Sequence, residues 1–156
     1  MMSRAGARRR PAHFVMMLAA AMLLASCYSS NYRREMLAST ALVAGLSDKL
    51  ADYCRAGFIV ERHPLSSEEM GEFYYGLKKA RAFEQMTAKR HASEASGVAF
   101  SKLVDAYEKF VREADRYRIA KAHTPEELDE LMKDHDEVEH CAEEVRRALQ
   151  TELVLT

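Results

Sequence analysis

At 156 residues the chain is sized for one domain after processing of its head, and its 23 basic and 24 acidic side chains nearly cancel. No block of like charge is long enough to mark a nucleic-acid or anionic-lipid binder. Three cysteines with no CxxC pair argue against a zinc ribbon or a dithiol redox centre.

The head of the chain has three zones. Arg4, Arg8, Arg9 and Arg10 precede any acid, the first being Glu35. Residues 14–25, FVMMLAAAMLLA, are all apolar, and the small Ser26 stands before Cys27. A basic start, a short greasy core and a small-residue exit make a secretory signal. Twelve helical residues span about 18 Å, short of a hydrocarbon core of about 30 Å, which argues against an uncleaved span.

Leu24-Ala25-Ser26-Cys27 resembles the lipobox of bacterial lipoproteins: an aliphatic residue, two small ones, then cysteine. The resemblance covers residues 1–27 only. It implies cleavage before Cys27, a thioether-linked diacylglycerol on that sulfur, and an acylated amino group. Several chains exceed what stable anchoring needs. Tyr28 stands where an aspartate would mark inner-membrane retention, so the resemblance implies an outer-membrane protein facing the periplasm. The run Arg8-Arg9-Arg10 lacks the apolar residues close behind it that twin-arginine signals show, which favours the general secretion route. The expected organisation is a signal peptide over 1–26, a lipidated cysteine and tether over 27–35, and a helical domain over 36–156. The signal removes four arginines and no acid, leaving 19 basic against 24 acidic residues, a net of −5. In an oxidising compartment the two remaining cysteines, Cys54 and Cys141, are expected to form a disulfide.

Four helices are expected in chain order. The first covers about 35–56, with Met36, Val43, Leu46, Leu50 and Tyr53 on one face and Gly57 as its C-terminal cap. FIVERHPL, residues 58–65, is expected as an extended connector. The second starts at Ser66, where Ser66 and Glu69 form a capping box and Leu65 and Met70 a hydrophobic staple. Its face is Met70, Phe73, Leu77, Ala80 and Phe83, with Met86 beside it. The third follows the SEASG break at 93–97 and carries the most regular seam: Phe100, Leu103, Tyr107, Phe110, Ala114 and Tyr117. The fourth opens on Thr124-Pro125-Glu126-Glu127, a capping box with proline at the first helical position. It continues to about Leu153 through Leu128, Leu131, Val138, Ala142, Val145 and Leu149. The fold class is therefore all-α, an antiparallel bundle of four helices. Cys54 and Cys141 meet only if the first helix is offset against a three-helix core of residues 66–153; with flush helices the disulfide fails.

Chemistry is sparse. Glu137 and His140 have the Glu-x-x-His spacing of di-iron bundles, but only one such pair exists and the seam turns it outward. They are weak metal candidates, and a solvated acidic face is the plainer reading. His135 falls on the seam and points inward. It is a candidate ligand or pH-sensitive site, with Tyr107, Tyr53 or Tyr117 as the expected partner. No GxSxG, HExxH or phosphate-cradling glycine loop occurs. Composition and motifs together favour a non-catalytic structural or protein-interaction role in the cell envelope, without a cofactor beyond the lipid on Cys27. A ligand- or metal-binding bundle built on His135 is the alternative.

Overall fold

The computed structural model describes the backbone of residues 10–60, 65–91, 94–120 and 123–154, and the side chains of residues 30–58, 65–89, 94–120 and 123–152. Four helices follow in order: α1 (Arg10–Val60), α2 (Ser67–His91), α3 (Ala95–Ile119) and α4 (Pro125–Val154). Among the described residues there is no strand. The chain divides into two units, Met1–Glu35 and Met36–Thr156.

In the first unit the backbone is helical from Arg10. Residues 28–35, expected as a tether, thus belong to α1. At its other end α1 runs through Gly57 and Phe58 to Val60 instead of capping at Gly57. A single glycine costs a helix only about 1 kcal/mol, and extending a formed helix is far easier than starting one. The rest of the connector, Glu61 to Pro64, lies outside the described residues.

The second unit is an all-α antiparallel bundle. Its helix starts follow local chemistry. The Glu69 amide donates to Ser66 Oγ at 3.1 Å while the Ser66 amide donates to Glu69 Oε2 at 2.8 Å. Thr124 and Glu127 repeat the same exchange at 3.0 and 3.2 Å. Each box satisfies two amides that a bare helix end leaves open. Helix α3 lacks a cap from its own Glu94 side chain. The Ser96 amide instead donates to Glu152 Oε1 of α4 at 2.9 Å, so the far end of the chain closes this helix start.

Helix α3 is the most deeply packed. Phe100, Leu103, Val104, Tyr107, Phe110, Val111 and Ala114 are fully buried. Phe100 meets Phe83 of α2 edge-on at 5.3 Å between ring centroids, and Phe110 faces the His135 ring of α4 at 5.7 Å. Polar pairs run down the flanks in antiparallel order. Arg81 of α2 binds Asp105 and Glu108 of α3, with Tyr74 donating to Asp115 further along. Lys102 and Lys109 of α3 reach Glu144 and Asp134 of α4.

Helix α1 buries Met36, Thr40, Val43, Ser47, Leu50 and Cys54, a stripe in steps of four and three. Leu46 and Tyr53, expected on that face, flank it. Leu46 fills the notch at Gly76 of α2, where an added Cβ would lie 2.2 Å from Leu46 Cδ1. Tyr53 meets Phe73 edge-on at 6.3 Å. Lys49 pairs with Glu72 at 2.6 Å, and Asp48 with His135 of α4 at 3.0 Å.

These pairings set α1 level with its neighbours, not low against them, and the cysteines stay apart. Asp48 and His135 mark one level of two antiparallel helices. Cys54 lies six residues beyond Asp48 and Cys141 six beyond His135, in opposite directions. At 1.5 Å per residue they are about 18 Å apart along the bundle, against a Cα separation under about 7 Å for a disulfide. Cys54 and Cys141 are accordingly separate, free and buried thiols, and the expected bridge is not formed. Burial pushes the Cys54 thiol up to about 12. Cys141 is raised by burial and by the carboxylates of Glu144 and Glu137.

Candidate functional site

His135 lies on the buried stripe of α4 between Leu131 and Val138 and is 5% exposed. Its Nε2 is 3.0 Å from Asp48 Oδ1. A carboxylate can only accept, so Nε2 carries the hydrogen. Nδ1 meets no hydrogen-bond partner although it is buried. Asp136 Oδ1 lies 3.7 Å from it, beyond hydrogen-bond reach.

Glu139 stands one helical turn after His135, on the same side of α4. One donor atom each from Asp48, His135 and Glu139 lie within 4.8 Å of one another. Asp48 and Glu139 are exposed, so the imidazole is the buried end of a group that opens to solvent. The opening is a groove of about 310 Å³ between α1 and α4, lined by Ala44, Asp48, Asp136, Glu139, His140, Glu143 and Arg146 among others.

The sequence-derived candidates scatter around this group. His135 is inward as expected, but its partner is Asp48 and none of the tyrosines. Tyr107 points its hydroxyl the other way, donating to the Phe73 carbonyl of α2 at 3.3 Å. Burial pushes its phenol well above the ordinary tyrosine range. Tyr117 stacks on His123 at 4.1 Å, and Tyr53 belongs to the α1–α2 contact. Glu137 turns to Lys109 of α3 at 3.5 Å, whereas His140 lies 3.5 Å from Glu144 and lines the groove. Glu137 and His140 thus serve different neighbours. The side chain of Cys27 lies outside the described residues.

Sequence reading missed Asp48 and Glu139. Glu139 was reachable from its four-residue step after His135. Asp48 was not, being 87 positions away along the chain.

A larger cavity of about 550 Å³ lies between α3 and α4 near Tyr117, Leu131 and Glu130. Most of its charges are already paired: Lys109 with Asp134, Arg116 with Glu113, and Glu130 with Lys133 outside the lining. Among the described residues no helix is long and apolar enough to cross a membrane. Comparison with protein-family models, with curated proteins and with solved structures finds no match.

Proposed function

We propose that this chain is a lipid-anchored protein of the bacterial cell envelope whose helical domain faces the periplasm and acts by binding another envelope component. The observation that carries the reading is Leu24-Ala25-Ser26-Cys27, placed directly after an uninterrupted apolar run with arginines before it. The bundle lends support by being well built for a scaffold. Capping boxes open α2 and α4, the α3 core is fully buried, and ion pairs line the flanks. Tyr75 on α2 is 59% exposed with Lys79 over its ring at 4.6 Å, and Met86 is 55% exposed. Aromatic and methionine side chains held in solvent are the types enriched at protein interfaces.

Replacing Cys27 tests the reading. In a bacterial host with lipoprotein processing, wild-type protein should sediment with membranes and release only with detergent, while Cys27→Ser should be released by the same lysis without detergent. In-cell cross-linking should capture a discrete partner band that weakens in Tyr75→Ser. Equal fractionation of wild type and Cys27→Ser would defeat the anchor; no captured band under any growth condition would defeat the binding role.

A further inference from the structure

We propose that Asp48, His135 and Glu139 bind one divalent transition-metal ion of the zinc class across the seam between α1 and α4. The inference goes beyond the envelope role and does not rest on it.

Three observations carry it. The first is the donor set. One imidazole and two carboxylates, from two helices, place donor atoms within 4.8 Å of one another. A tetrahedral ion with bonds of about 2.0–2.1 Å needs its ligands about 3.3 Å apart. Asp48 and His135 are already at 3.0 Å, and both carboxylates are exposed enough to close the remainder by side-chain rotation. Two carboxylates and a neutral imidazole also balance the charge of a divalent ion.

The second is the buried nitrogen. With Asp48 on Nε2, the imidazole leaves Nδ1 as a polar atom inside the protein without a partner, an arrangement that native interiors seldom keep. A cation at Nε2 removes the hydrogen from that atom and places one on Nδ1. There Asp136, whose side chain is three-quarters exposed and 3.7 Å away, can swing in to accept it. A ligating histidine whose other nitrogen donates to a carboxylate is the ordinary outer-shell pattern of metal sites. The atom left over without an ion thus has a role with one.

The third is access. The group opens into the groove of about 310 Å³ between the two helices, so an ion can enter and keep water in its open positions. Imidazole with carboxylates suits zinc and its neighbours better than magnesium or calcium, which favour all-oxygen sites. Bound there, the ion would tie α1 to the middle of α4.

The test is calorimetric titration of the full-length chain in detergent micelles, carried in a Cys27→Ser background so that the Cys27 thiol does not compete. Zinc should bind with one saturable equivalent and raise Tm, while magnesium at the same concentration should do neither. Asp48→Asn and Glu139→Gln should each weaken zinc binding at least about tenfold with unchanged helical circular dichroism. Glu137→Gln, on the side of α4 that faces Lys109, should leave it unchanged. Absence of a saturable equivalent, or binding that survives both carboxylate substitutions, would overturn the site.

Discussion

Helices α3 and α1 solve the same packing problem with different materials. The α3 core is bulk: two phenylalanines, a tyrosine, a leucine and two valines, all fully buried. The α1 stripe alternates bulk with small residues, Thr40 and Ser47 standing between Met36, Val43 and Leu50, and Cys54 following. Thr40 returns its hydroxyl to the Met36 carbonyl at 2.8 Å, whereas Ser47 Oγ meets no partner among the described residues. What α1 lacks in apolar volume it makes up at its edges, through Leu46 in the Gly76 notch, Lys49 on Glu72 and Asp48 on His135. The bundle is thus held by burial at α3 and by burial plus specific pairing at α1.

Substitutions that probe each helix on its own terms sharpen this contrast. The largest effect belongs to α3: Phe110→Ala should lower stability by about 3–5 kcal/mol in chemical denaturation, because it empties a fully buried ring site. Removing one capping hydroxyl, as in Ser66→Ala or Thr124→Ala, should cost about 1 kcal/mol in the same assay. In α1 the sign reverses. Ser47→Ala removes a buried hydroxyl without a partner and should be neutral or stabilising by up to about 1 kcal/mol. A loss of more than about 1 kcal/mol there would show that the hydroxyl has a partner and that the contrast is wrong.

The cysteines give a pH-dependent prediction. The native Cys54 thiol titrates near 12 against 9.0 unperturbed, since burial disfavours the thiolate. A raised native pKa makes a contribution to stability that is full below pH 9 and is lost as pH rises from 9 toward 12. Alkaline denaturation should therefore steepen above pH 9, less so in Cys54→Ala, and thiol reagents at pH 8 should reach Cys54 only after unfolding. The smallest effect lies on the α2–α3 flank. Arg81 holds Glu108 below the usual carboxylate range. Its contribution is present above the ordinary glutamate value and fades as pH falls through the native one, so Glu108→Gln should slightly flatten the acid limb of the stability curve.

Much of this was legible in the chain. Both capping boxes and the α3 seam follow from spacing alone, because each depends on neighbours within one or two turns. The α1 face was read correctly at Met36, Val43 and Leu50, which are fully buried, but not at the positions between them. Leu46 and Tyr53 are the apolar residues a pattern search selects, but Thr40 and Ser47 are small enough to face the core and leave those larger side chains on the flanks. The cysteine pairing failed for a related reason: compartment and parity carry no information about axial level, which only the Asp48–His135 contact reveals. Glu139 could have been paired with His135 by its helical step, while Asp48 required the fold.

The central claim is that Cys27 becomes the acylated first residue of an exported bundle. Intact-mass spectrometry of protein extracted from host membranes tests it most directly. The account predicts a chain lacking residues 1–26 and carrying the added mass of diacylglycerol, with or without a further acyl group. A full-length, unmodified chain as the sole species would contradict it.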